Sequence, residues 1–455
     1  MAIKRSWGSF FVVVSAATFF GVACSRDPKP APPAASVTTV AATASAPPTP
    51  PAAKRPAADL NVLLVSIDSL RADMPWNGYE RPIAPRLTEL VKTRGVQYTH
   101  AYSLSSYTSM SLGGFLGGKL PGELNRDGYF FGTYSTKNNL FFPEVLKAAK
   151  IRTVSAHAHG YFSRANFDQG FDAWEIVPNL IWNGQTDENS SGPQLEAIAE
   201  KLLSDPQMDA GRFFAWFHFL DPHDQYLSHP GIDWGKTTRD KYDGEVTFVD
   251  QAIGKLLDFV ASKPWAGRTA IIITADHGEF FGEHGRYRHG FELWEPAIRV
   301  PLIFVLPDAK ATGTPRKIDV ARGAIDIAPT ILDLFGLPPT PEFEGKSLVP
   351  ELYGAEPLPR DIAIDLPATS NNDRRRAFIH GKYKLIASGP TDTMVQVFDI
   401  EADPEEKTPV RGEAAAEIIQ LYKAFVKTVK DVPAFGCKED CLNGGYEKKD
   451  GGASP

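Results

Sequence analysis

The chain alternates short, unbroken apolar runs with stretches in which apolar residues recur every three or four positions. Three runs dominate: Asn61-Val-Leu-Leu-Val-Ser-Ile67, Phe213-Phe-Ala-Trp-Phe-His-Phe-Leu220 and Thr269-Ala-Ile-Ile-Ile-Thr-Ala275. Runs this short and this rich in branched and aromatic residues predict fully buried parallel strands. Between them, Pro85–Arg94 puts Leu87, Leu90 and Val91 on one face, and 242–257 sets Val246, Val249, Ile253 and Leu256 at helical spacing. The alternation from Leu60 to about Leu358 predicts an α/β fold, a mostly parallel sheet flanked by helices. Beyond it the pattern changes. Residues 376–386 and 395–399 read as short strands around a Gly/Pro/Thr/Asp turn, followed by a helix at about 415–429. That predicts a small C-terminal antiparallel β-sheet plus helix subdomain over residues 359–432.

Each strand-like run ends in an acid or an imidazole. The first leads to Asp68, the second to Asp221-Pro222-His223-Asp224, and the third to Asp276-His277-Gly-Glu, with His284 and His289 close behind. Chemistry in open α/β sheets collects outside the carboxyl ends of the strands. Any one of these acids would serve equally as a helix cap. Three runs delivering Asp or His at the same edge predict a convergent cluster instead. A hard oxygen ligand beside an imidazole suits Zn²⁺ or Mn²⁺.

Composition changes the picture mainly at the ends. With 43% hydrophobic and 23% charged residues, the 455-residue chain is ordinary for a globular protein. A formal charge of −7 and the lack of a basic stripe exclude nucleic acid as the main partner. Lys4, Arg5 and the apolar stretch from Phe10 to Val22 predict a signal peptide over residues 1–24. Gly21-Val-Ala-Cys24 resembles a bacterial lipobox, with Gly21 where Leu is usual. The expectation is export to the periplasm or cell surface and a lipid anchor on Cys24. Residues 25–59 are rich in Pro, Ala and Thr and predict a disordered tether. Cys437 and Cys441, in a polar tail over 433–455, are expected to form a disulfide with each other.

Taken in order, the motifs resemble those of the sulfatase family in the alkaline-phosphatase-like superfamily. The segments are 61–73 (NVLLVSIDSLRAD), 81–103, Asp221-Pro-His-Asp, Asp276-His-Gly-Glu, 289–301, 326–336, and Gly381-Lys-Tyr-Lys-Leu-Ile386 with Asp399 and Asp403-Pro404. The resemblance implies metal ligands at Asp68, Asp276 and His277, with the nucleophile's oxygen as a fourth. The family nucleophile lies in a Cys/Ser-x-Pro-Ser-Arg motif whose first residue is oxidised to formylglycine. Here Ser106-Tyr-Thr-Ser-Met110 takes that place, so Ser106 is the expected nucleophile, at the start of a helix whose dipole favours an anion. Thr108 and Met110 then stand where the Pro and Arg belong, which argues against oxidation and towards relatives that use a plain Ser or Thr.

His223 and His289 match positions that hold the transferred group or protonate the leaving oxygen. His159 would replace the family's Gly-Lys-x-His element in binding substrate, and Arg71 would bind substrate or pair with Asp73. Ser69 stands where a second metal-binding Asp is usual. The resemblance thus implies an envelope sulfatase using one divalent ion (Zn²⁺, Mn²⁺ or Ca²⁺, a second left open) on a small-molecule or glycan sulfate or phosphate ester. The alternatives are a phosphoryl-group hydrolase or transferase with an unmodified Ser, and a non-catalytic binding lipoprotein.

Overall fold

The computed structural model describes residues 56–57, 59–181, 190–307, 313–389 and 392–435. All of them fall in one unit, Pro51–Pro455. The leader, Cys24, the tether as far as Arg55 and the Cys437–Cys441 pair lie outside the described residues. Among those described, no helix is long and apolar enough to cross a membrane.

The strands are β1 (Asn61–Ile67), β2 (Gly95–Tyr102), β3 (Arg152–His157), β4 (Ala173–Ile176), β5 (Phe213–Phe219), β6 (Thr269–Ala275), the two-residue β7 (Phe280–Phe281) and β8 (Tyr287–Arg288), β9 (Arg299–Val305), β10 (Arg316–Ile318) and β11 (Arg322–Gly323). The main sheet runs β10-β2-β9-β6-β1-β5-β3-β4, with β11 also on β2, while β7 and β8 form a separate hairpin. From β6 to β4 all neighbours are parallel. β9 is the exception, antiparallel to both β6 and β2. Every residue of β1 is buried because both faces are covered. Val62 and Leu64 enter the core that holds Phe115, Phe142 and Trp216, while Leu63, Val65 and Ile67 enter the one that holds Val246, Ile253 and Phe217. Two-sided burial explains why these strands read as continuous apolar runs.

Two helices bear on the site. In α1 (Pro85–Arg94), Pro85 opens the first turn, and Asp250 from helix Thr238–Ala261 accepts the orphan N–H groups of Arg86 and Leu87 at 2.9 and 2.8 Å. In α2 (Thr108–Gly117) every residue is buried. Gly113 admits the Tyr134 ring, since a Cβ there would lie 2.2 Å from it. The Tyr134 hydroxyl donates to the Ser109 carbonyl at 2.8 Å and fixes the first turn.

The C-terminal sheet has four strands, β12 (Ile362–Leu366), β13 (Arg375–His380), β14 (Tyr383–Ser388) and β15 (Met394–Asp399), followed by the helix Glu413–Val426. The 376–386 run, read as one strand, is two. It folds back at Gly381, whose φ of +56° suits a residue without a Cβ. This sheet packs on the main body through Ile362, Ile364 and Ile379 against Tyr102, Tyr107 and Met110.

Candidate active site

The pairing Ile67↔Ala275 sets β1 and β6 level, so Asp68 and Asp276 leave adjacent strands side by side. Ser69 then turns with φ +56°, an unusual conformation for a residue with a Cβ. That turn lets its N–H donate to Asp276 Oδ1 at 3.3 Å and its hydroxyl to Asp68 Oδ1 at 2.9 Å. His277 Nδ1 donates to the Gly278 carbonyl at 2.9 Å. A carbonyl only accepts, so in the neutral ring the lone pair sits on Nε2. This Nε2 lies 3.5 Å from Asp68 Oδ1 and 3.4 Å from Asp276 Oδ2. Asp276 Oδ2 is buried and has no hydrogen-bond donor among the described residues.

Ser106, the expected nucleophile, is not the hydroxyl that lies against Asp68 and His277. α2 begins at Thr108, with Tyr107 as its extended N-cap. Thr108 Oγ1 lies 3.2 Å from Asp68 Oδ2 and 3.1 Å from His277 Nε2. Ser106 falls two residues before the helix, and its buried hydroxyl has no hydrogen-bond partner among the described residues. In the register that starts at Thr108, Ser111 takes the motif's Ser position and its hydroxyl donates to the Asp276 carbonyl. Leu112 then stands where the family Arg belongs. Met110 lies in the core shared with the C-terminal sheet.

Imidazoles surround Asp68. His159 Nε2 is 3.6 Å and His218 Nε2 3.5 Å from its Oδ2. His223 Nδ1 donates to the Asp224 carbonyl, and its ring centre lies 5.0 Å from that of His289 and 5.5 Å from that of His159. His289 Nδ1 faces Glu279 Oε1 at 3.2 Å, and the Tyr226 hydroxyl donates to Glu279 Oε2 at 2.9 Å. The structure thus brings together Asp68, Asp276, His277, His159, His223 and His289. It adds Thr108, His218 and Glu279, which sequence reasoning had not assigned to the site. Glu279 was visible in the Asp-His-Gly-Glu run, and His218 in the polar interruption of the β5 pattern.

Arg71 takes the other role open to it. Its guanidinium bonds Asp73 at 2.8 Å, Glu283 at 2.7 Å and the Glu279 carbonyl at 2.7 Å. It lines a cavity of about 690 Å³ with Asn77, His284, Glu295, Arg299 and Lys407, and none of the cluster residues faces that cavity. His284 stacks on Trp294, with ring centres 4.0 Å apart, away from the cluster.

Charge in the cluster is governed by burial. It pushes Asp276 well above the usual carboxylate range, helped by the charge on Asp68. Asp68 is also penalised by burial, yet His223, His218 and His277 together hold it well below that range. Burial lowers His277 and His289 to about 3, aided by His289 and His223 respectively. Glu279 rises to about 7 for the same reason. Neutral imidazoles facing carboxylates suit a cation. Two ligands bound at about 2.1 Å to a tetrahedral ion lie about 3.4 Å apart, which matches the spacing here.

The sulfatase family model matches residues 60–337. The chain belongs to the sulfatase family. A model for the C-terminal region of N-sulphoglucosamine sulphohydrolase matches residues 282–431. Among curated relatives, an N-acetylglucosamine-6-O-sulfatase of Bacteroides thetaiotaomicron is 31% identical over 203 residues, 42% of this chain and 36% of the relative. The chain therefore spans little more than a third of that relative's length. A solved structure described as a complex with its substrate D-glucosamine-2-N,6-O-disulfate aligns with a TM-score of 0.66 at 19% identity, over 81% of this chain and 98% of that one. The phosphonate monoester hydrolase of Agrobacterium radiobacter aligns with a TM-score of 0.64 at 17% identity, over 81% and 94%. These two likenesses establish a shared fold.

Proposed function

We propose that this sulfatase-family protein is a metal-dependent hydrolase of sulfate esters with Thr108 as its nucleophile. The observation that carries the reading is the double contact of Thr108 Oγ1 with Asp68 and His277 at the first turn of a buried helix. A divalent ion held by Asp68, Asp276 and His277 would lower the hydroxyl pKa and neutralise charge on the transferring oxygens. Thr108 Oγ1, its proton lost to solvent, attacks sulfur, and the bond from sulfur to the alcohol oxygen breaks. The departing oxygen takes the Nε2 proton of the neutral His289 ring while Glu279, a carboxyl that keeps its own proton up to about pH 7, passes that proton to His289 Nδ1. Water then cleaves the sulfo-threonine ester and regenerates the hydroxyl. The Lys4–Cys24 leader supports export and lipid anchoring of this hydrolase.

One observation favours a phosphate ester as a second reading. Oxidation of a Thr side chain yields a ketone, so the formylglycine aldehyde is out of reach at Thr108. A plain hydroxyl nucleophile is the pattern of the phosphoryl-transferring relatives. Parallel hydrolysis of an aryl sulfate, an aryl phosphate and an aryl phosphodiester, with Thr108→Ala alongside, separates the readings. Sulfate cleavage lost in the variant supports the first. Phosphoester cleavage lost in the variant supports the second. No cleavage with Zn²⁺, Mn²⁺ or Ca²⁺ would overturn both and leave a binding lipoprotein.

A further inference from the structure

We infer that the site holds a second divalent cation, bound by Asp68, His159 and His223 and sharing Asp68 as a bridging carboxylate with the first. The inference rests on the reading of Asp68, Asp276 and His277 as metal ligands and adds a separate centre to it. A carboxylate oxygen of Asp68 and one ring nitrogen each of His159 and His223 lie within 4.8 Å of one another, as do the ligand atoms of Asp68, Asp276 and His277.

The two oxygens of Asp68 face different partners. Oδ1 is 3.5 Å from His277 Nε2, on the side of the first group. Oδ2 is 3.6 Å from His159 Nε2, close to the spacing expected of two ligands on one ion and long for a hydrogen bond. His223 donates Nδ1–H to the Asp224 carbonyl, so in the neutral ring the lone pair is on Nε2. His277 is arranged the same way by Gly278. A backbone acceptor on one ring nitrogen is how metal-bound histidines are commonly oriented. His218 differs. Its Nδ1 meets the Ser66 hydroxyl at 2.8 Å, and that hydroxyl already accepts from Trp216 Nε1 at 2.8 Å. Ser66 is therefore free to donate to His218 Nδ1, which puts the ring proton on Nε2, 3.5 Å from Asp68 Oδ2. His218 is then a donor behind the carboxylate, while His159 and His223 are the ligands.

Charge provides the second argument. Among the described residues, the Asp68, Asp276 and His277 side chains bond to carboxylate, imidazole, hydroxyl and backbone groups. Arg71 is committed to Asp73 and Glu283, and Leu112 stands at the motif's Arg position. One divalent ion would only cancel the two carboxylates and leave no net attraction for an anionic ester. A second would restore two positive charges next to Thr108, whose Oγ1 is 3.2 Å from Asp68 Oδ2 and 3.1 Å from His277 Nε2.

The test is metal stoichiometry of the purified full chain, saturated with Zn²⁺ or Mn²⁺, desalted and assayed by plasma mass spectrometry. Two equivalents are expected for wild type and one for His159→Ala and His223→Ala. The Mn²⁺-loaded protein should show an exchange-coupled paramagnetic signal that both variants lose. Because the wild-type count stands alone, misfolding of a variant leaves the test intact. A wild type that saturates at one equivalent, with that ion lost in Asp276→Asn, would overturn the second site and leave the first. A wild type that binds no ion would overturn both.

Discussion

Thr108→Ala and Ser106→Ala, made side by side, should behave as opposites. Thr108 carries a buried hydroxyl against a carboxylate and an imidazole, at the end of the helix where an anion is favoured. Removing it deletes the attacking oxygen, and a covalent nucleophile is worth about 10³–10⁶-fold in kcat/KM, or about 4–8 kcal/mol of transition-state stabilisation. Its single proton is donated to a charged carboxylate, so the same change should cost about 1–3 kcal/mol of folding stability. Ser106 is buried as deeply, but its hydroxyl has no partner among the described residues. Deleting it removes an unsatisfied polar group and leaves a small void, and the two effects nearly offset, within about 1 kcal/mol. Activity should stay within about threefold of wild type, because nothing in the cluster touches this oxygen. The assay is kcat/KM on the aryl ester that wild type cleaves best, at saturating metal, with thermal melts as the folding control. Mass spectrometry of acid-quenched turnover should find the sulfo or phospho group on the peptide's Thr108. Wild-type-like turnover by Thr108→Ala, or an adduct on Ser106, would refute the assignment and restore the register read from the motif.

Other outcomes follow from the same geometry. Gly113→Ala forces a methyl to 2.2 Å from the Tyr134 ring, so the fold should lose about 1–3 kcal/mol, read as a lower denaturant midpoint; an unchanged midpoint would mean that the ring yields freely. Glu279→Gln should lower kcat more than KM, because it disturbs the orientation of His289 rather than substrate binding, and a pure KM effect would contradict that role. Dialysis against a chelator should lower the melting midpoint, with Zn²⁺ or Mn²⁺ restoring it at lower concentration than Ca²⁺, since imidazole ligands disfavour Ca²⁺. Asp250 is raised by burial from 3.8 to about 6, against the N–H groups of Leu87 and Arg86. A carboxyl raised on folding stabilises fully below its unfolded value and loses that contribution as pH rises through the folded one. Stability measured from pH 3.8 to about 6 should therefore decline less in Asp250→Asn than in wild type, and an identical slope would exclude Asp250 as the cause.

What could be read from the residues alone was the part that packing enforces. Burial on both faces keeps β1, β5 and β6 mostly apolar, with only a few polar residues such as Ser66, His218 and Thr274, so their ends, and hence Asp68 and Asp276, were visible as abrupt changes of character. The lateral order was not. β9 is as apolar as its neighbours, and nothing in Arg299–Val305 shows that it runs antiparallel between β6 and β2. Nor was the nucleophile. Residues 105–109 offer four aliphatic hydroxyls in Ser105, Ser106, Thr108 and Ser109, all chemically able to serve, and a motif missing its Pro and Arg does not set their register. What decides it is tertiary: α2 must begin where Tyr134 can enter beside Gly113 and bond the Ser109 carbonyl. That fit starts the helix at Thr108 and turns its hydroxyl towards Asp68, while Ser106 is left in the approach to the helix. The imidazoles illustrate the same division. Their number near strand ends was legible, but which nitrogen carries the proton depends on the Gly278, Asp224 and Ser66 partners that only the folded chain supplies. Those partners, more than the residue types, separate a metal ligand from a hydrogen-bond donor here.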